Sequence, residues 1–307
     1  MIFKFFAMIF MNFRLLILIG LTVSVFTNGC TEVKKSPPVN YSFMVEDDLG
    51  TKVLFDSIPN SLVTLAPNLT EMIFDLGLDD KLIGNTLYCN YPEASKSIPK
   101  IGDMISIDYE KLLVIKPDLI LITVEGNTKE TFDKLNEIGS KVFVSNPRNF
   151  KGVIHTYKNI AKIFNMDSLA ERRVNEWEGI LKEIQLNNST RGKRSAMFIV
   201  SLHPIMLAGR NTFLNEFLTV CGLENIVADS PQNYPMYNRE AILLKNPEVI
   251  IHSIESENIA DAYIEWENLK AITTGNVFYV DPDLFFRPGP RFAEAATILD
   301  GLVRNSN

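Results

Sequence analysis

Six aromatic residues stand on prolyl, polar segments that follow β-rich runs: Tyr88 and Tyr91, Tyr234 and Tyr237, and Phe285 and Phe286. In α/β sheets the loops after strands contact ligands. Together the rings describe an apolar-walled cleft for a large planar ligand, with phenolic hydroxyls as polar handles. Taken singly, Tyr91-Pro92 and Tyr234-Pro235 read equally well as turn packing. The last pair opens the segment FFRPGPR, Phe285 to Arg291. Arg287 or Arg291 suits a ligand carboxylate, phosphate or amide, and Asp283 can accept hydrogen bonds from ligand amides. The competing reading is a helix entry with Pro290 in its first turn. His203, before Pro204 in a turn after a strand, is the histidine placed to reach a cleft. His155 falls on a helical stretch and His252 inside a strand, so the three do not make a metal site.

The sequence contains no GxGxxG after a strand, no GxxxxGK[ST], no GxSxG, no HExxH and no CxxC. Without a phosphate loop or a paired nucleophile and base, neither an enzyme nor a resident cofactor is expected. The 307 residues carry a formal charge of −7, which leaves no basic footprint for nucleic acid. With 46% hydrophobic and 22% charged residues, the chain has ordinary soluble composition and enough length for two cores.

The elements that must position these residues follow a distinct N-terminus. Lys4 and Arg14 are the only charges before an apolar stretch, Leu15 to Phe26, that closes on Thr27-Asn28-Gly29-Cys30. That order is an export signal, with Met1 and Met11 both open as its start. The polar segment after it, with Lys34, Lys35, Pro37 and Pro38, reads as a flexible tether. Cys89 and Cys221 are then the cysteines of the folded part, read as buried thiols rather than a bridge.

Beyond the tether, β-rich runs (Leu62 to Ala66, Leu119 to Thr123, Lys141 to Ser145, Ala196 to Ser201, Val249 to Ser253, Val277 to Asp281) alternate with helical-period stretches. This predicts α/β layers with mainly parallel sheets. The run EKLLVIKPDLILI from Glu110 lies on EAILLKNPEVIIH from Glu240, and Glu71 and Glu216 each precede a Gly-Leu by six residues. The halves read as copies of one unit. Between them, Val174, Trp177, Leu181 and Ile184 mark an amphipathic helix with Asp167 or Ser168 as its cap. A helical link predicts small lobe movements on binding. The expected organisation is a signal over 1–29, Cys30 and tether over 30–44, an N-terminal lobe over 45–165, a linking helix over 166–188 and a C-terminal lobe over 189–307.

LVTLAPNLTEMIFDLGL from Leu62, YCNYP from Tyr88, KIGDMISIDYEKLLVIKPDLIL from Lys100, FLNEFLTVCGLENI from Phe213, YPMYNREAILLKNPEVII from Tyr234 and FFRPGPR resemble the cobalamin and iron-siderophore binding proteins of ABC importers. The resemblance implies two Rossmann-like lobes joined by a backbone helix, with the ligand cleft between them. It is nearest the cobalamin branch, whose cleft contacts map to Tyr88, Met104, Met206, Tyr234 and Asp283; an iron chelate or haem is the alternative ligand. Tyr91, His203, Phe285 and Arg287 join that candidate site from the reading of the residues. Gly29-Cys30 resembles a lipobox, which implies lipidation at Cys30 and an anchor outside the cytoplasm; the protein is expected to be a monomer. Glu110 and Glu240 would dock on a permease dimer that works with a cytoplasmic ATPase; helix capping alone is the competing role for both.

Overall fold

The computed structural model describes residues 42–254 and 264–306, so the signal and Cys30 lie outside the described residues. The body opens with a hairpin of β1 (Phe43–Glu46) and β2 (Lys52–Phe55). Phe43 stacks on Phe55 at 5.0 Å, so the expected tether gives way to ordered chain before residue 44. Cross-strand aromatic pairing orders this segment, although the sequence just upstream is polar.

The N-terminal sheet contains β3 (Leu62–Thr64), β4 (Leu82–Gly84), β5 (Leu119–Thr123) and β6 (Val142–Ser145), all parallel in the order β4-β3-β5-β6. LVT, LILIT and VFVS are buried throughout, as a parallel sheet covered on both faces requires. β3 is shorter than its apolar run because Ala66 caps helix α1 (Pro67–Asp75), whose proline occupies the first turn. Helices α2 (Tyr109–Ile115), α3 (Lys129–Glu137) and α4 (Phe150–Ile163) follow.

After α5 (Asp167–Asn188) comes the second sheet, with β7 (Arg194–Leu202), β8 (Ile205–Leu207), β9 (Leu223–Asn225), β10 (Val249–His252) and β11 (Val277–Tyr279). Its parallel strands run β9-β7-β10-β11, the same order as in the first sheet, and β8 folds back antiparallel on β7. Its helices are α6 (Phe213–Val220), α7 (Arg239–Lys245), α8 (Lys270–Thr273), α9 (Pro282–Phe285) and α10 (Phe292–Arg304).

Local chemistry repeats with the strand order. Helices α2 and α7 each end on a left-handed residue, Lys116 (φ 46) and Asn246 (φ 41), just before a proline. The acid after that proline brackets a serine at the neighbouring strand. The Ser61 N–H donates to Asp118 at 3.1 Å and the Asp118 N–H donates to Ser61 Oγ at 3.1 Å. The Ser195–Glu248 pair repeats this at 2.9 and 3.2 Å. The two lobes share a strand order and these local bonds.

Helix α5 spans 22 residues, about 33 Å at the usual rise, and buries Val174, Trp177 and Ile184. The expected Asp167 or Ser168 cap is absent: Met166 holds the cap position without a side-chain bond. The turn before it closes instead through the Met166 N–H on the Ala161 carbonyl at 2.8 Å, with Asn165 left-handed at φ 56. Beside this helix the apolar core runs unbroken from lobe to lobe. Phe150 of α4 meets Phe213, Phe217 and Phe292 of the C-terminal half at 5.5, 5.0 and 4.9 Å, and Trp177 meets Tyr157 and Phe292 at 4.8 and 5.2 Å. Cys89 and Cys221 are free buried thiols. Burial, helped by Asp300, pushes the Cys221 thiol well up.

Candidate functional site

The segments after β3, β4 and β5 face those after β10 and β11 across a cavity of about 450 Å³. On the N-terminal side Tyr88, Met104 and Glu125 line it; on the other stand Asp283, Phe286 and Arg287. A parallel sheet aims its strand ends at one edge, so the two lobes present their loops to a shared cleft.

Asn127, which the sequence reading did not single out, fixes the N-terminal wall. Its Oδ1 accepts the Thr123 N–H at 3.0 Å, and its Nδ2 donates to the Leu65 carbonyl at 3.1 Å and the Met104 carbonyl at 2.8 Å. One buried amide thus ties two strand ends to the Met104 loop. The only signal in the sequence is a Gly-Asn turn closing an apolar run. Gly126 lets the Met104 methyl lie on the backbone: a Cβ there would stand 1.9 Å from Met104 Cε. Asp103 accepts the Ile105 and Ser106 N–H groups at 2.7 and 2.6 Å, which hold its carboxyl below the usual range.

The FFRPGPR segment has a different task from the one its guanidiniums suggested. Arg287 donates to Glu71 (3.2 Å), Asn90 (2.7 Å), Asp283 (2.6 Å) and the Tyr88 carbonyl (3.3 Å). Arg291 grips Glu71 in two bonds, 2.9 and 2.7 Å, and donates to the Asp283 carbonyl at 2.9 Å. The Glu71 side chain is 1% exposed, and Asn68 donates across to the Pro288 carbonyl at 3.2 Å. Both arginines therefore join lobe to lobe. Arg287 still forms part of the cavity wall, with its charge compensated by Glu71 and Asp283. On the Arg291 guanidinium, burial acts downward but the bonds and charge of Glu71 prevail and raise it.

Tyr88, Met104, Asp283 and Arg287 come together at the cavity. The other five expected members, Tyr91, His203, Met206, Tyr234 and Phe285, do not line it. Phe285 is 1% exposed and packs on Phe217 at 4.9 Å, because helix α9 turns its ring into the core; Phe286 is the ring that faces the cleft. Tyr91 lies 3.9 Å from the Arg291 guanidinium in a separate groove beside α5, drawn there by a cation–π contact. His203 is exposed in the two-residue turn from β7 to β8, outside the cavity lining. Met206 is half-buried in β8 and bridges to Met236. Tyr234 reaches toward the Glu125–Arg148 pair of the opposite lobe; burial, then Glu125, push its hydroxyl above the usual range and Arg148 opposes them. Glu110 and Glu240 are exposed at equivalent positions in α2 and α7, and neither has an ion-pair partner among the described residues.

The model of the family described as periplasmic binding protein matches residues 62–284. A vitamin B12-binding protein of Photorhabdus laumondii is 28% identical over 78% of this chain and 86% of its own. An uncharacterized ABC transporter substrate-binding lipoprotein of Bacillus subtilis is 30% identical over 81% of this chain and 82% of its own. Among solved structures, the periplasmic vitamin B12 binding protein of Vibrio cholerae superposes with a TM-score of 0.70 at 25% identity, covering 81% of this chain and 98% of its own. Periplasmic haem-binding proteins of known structure share the fold at lower identity.

Proposed function

This chain belongs to the periplasmic binding protein family, and from that premise we propose that it captures cobalamin or a related corrinoid in the cleft and delivers it to the permease of an ABC importer. The family consists of extracytoplasmic binding proteins, not enzymes. The observation that carries the ligand class is the state of Arg287, the one cation among the described residues lining the cavity. Glu71 and Asp283 already compensate it. A cleft without spare positive charge suits an amide-rich, weakly charged corrinoid, whereas anionic siderophores and haem propionates call for free cations. Burial, then Glu125, raise the Tyr234 hydroxyl above the usual range, which disfavours the phenolate that haem iron would take as an axial ligand.

Titration of the soluble protein with cyanocobalamin, haemin and a ferric siderophore tests this. Cyanocobalamin is expected to bind tightest, and a tighter haemin isotherm would reverse the assignment. In the same titration Tyr88→Ala and Tyr234→Ala should each lose about 1 to 3 kcal/mol, roughly 5- to 150-fold in Kd. Undiminished affinity in both folded variants removes these rings from the site.

The proposal includes a lipid at Cys30, carried by the apolar run that ends on Gly29-Cys30. Two acyl chains at about 0.8 kcal/mol per buried methylene make a stable anchor. Labelled palmitate should enter the wild type and spare Cys30→Ser; equal labelling rejects the anchor.

A further inference from the structure

Helix α2 buries Leu112 alone, and helix α7 buries Ile242 alone. Each then leaves its next two residues in solvent: Leu113 and Val114 are 49% and 80% exposed, Leu243 and Leu244 41% and 88%. An amphipathic surface helix ordinarily places polar side chains there. Scattered exposed leucines need no explanation. Two adjacent apolar pairs, each three and four residues beyond an exposed glutamate and each at the same place in a lobe of the same strand order, are not scattered.

We propose that Leu113-Val114 and Leu243-Leu244 form the apolar half of the docking surface and seat in two equivalent recesses of a two-fold symmetric permease. This rests on the reading of Glu110 and Glu240 as docking groups. The charge pattern selects the occupant. Each patch offers a carboxylate without an ion-pair partner among the described residues beside an apolar turn, which fits a cation set in an apolar surround. Burial of the pair excludes water from the ion pair and strengthens it. A second copy of this chain seated patch to patch would bring the Glu110 and Glu240 carboxylates against one another, on a molecule already at −7.

The test is Val114→Gln with Leu244→Gln in the full chain, glutamine being a good helix former at both exposed positions. Binding is measured to the permease–ATPase complex purified from the source organism in nanodiscs, with Glu110→Arg/Glu240→Arg alongside. The glutamine variant should bind the complex about 100-fold more weakly, about tenfold per residue, with unchanged Tm and ligand affinity. Full binding of the glutamine variant together with loss in the arginine variant overturns the inference and leaves the docking reading standing. Full binding of both overturns inference and reading alike. A wild-type dimer in sedimentation equilibrium that the glutamine variant dissociates assigns the patches to self-association and also overturns the inference.

Discussion

Glu71→Ala should lower the stability of the folded chain by about 3 to 5 kcal/mol. The carboxylate is buried between Arg287 and Arg291 and accepts three bonds from them within 3.2 Å. Its loss leaves two guanidiniums inside the lobe junction, where Arg287 retains Asp283 as a counter-charge and Arg291 retains no carboxylate, only the Asp283 carbonyl and the Tyr91 ring. The magnitude comes from the stranded charges rather than from the worth of the intact triad. For that reason Glu71→Gln, which keeps the shape and one acceptor, should fall between Ala and wild type. Urea unfolding reads the effect as a lower midpoint at unchanged slope. A loss below about 1 kcal/mol for Glu71→Ala would mean that water reaches the junction and screens the arginines.

Glu110→Arg with Glu240→Arg should abolish association with the permease while ligand affinity stays at the wild-type value. A carboxylate held by arginines at a partly desolvated interface is worth about 2 to 5 kcal/mol on truncation, and charge reversal adds repulsion. Capping explains much less: a glutamate in a first turn favours its helix by about 0.3 to 1 kcal/mol. The caps themselves come from Asp108 and Asn238, whose side chains accept from the Lys111 and Ala241 N–H groups at 2.9 and 2.8 Å. The folded double variant should therefore melt close to wild type. Wild-type association with the permease would assign both glutamates to their helices alone.

The fold was legible because its strands are apolar on both faces, so their positions do not depend on which way they point. The repeat was legible for a related reason. Proline after a left-handed residue, followed by an acid that brackets a serine, is a local device that leaves the same letters wherever it is used. The cleft was legible only in part. Tyr88 and Met104 reach the cavity from loops and Asp283 from the short helix α9, whereas Phe285 and Phe286 are adjacent and a single helical turn decides which of them faces inward. Arginines on a proline-stiffened loop look alike whether they await a ligand or a buried glutamate. Glu71 lies more than 200 residues away in sequence, and no local pattern announces the pairing. Asn127 escaped notice because its partners are backbone groups, one N–H and two carbonyls, which carry no side-chain signature.

The unbroken aromatic seam between Phe150 and the rings of Phe213, Phe217 and Phe292 bears on how cargo is reported. Opening the lobes would tear rings from a close-packed interior, so the outline of the molecule is expected to change little between the full and the vacant cleft. A transporter that grips that outline meets almost the same object in both cases. Vacant copies would then compete with loaded ones for the same dock. Uptake would depend on the ratio of receptor to cargo, and a cell that makes receptor in excess would slow its own import.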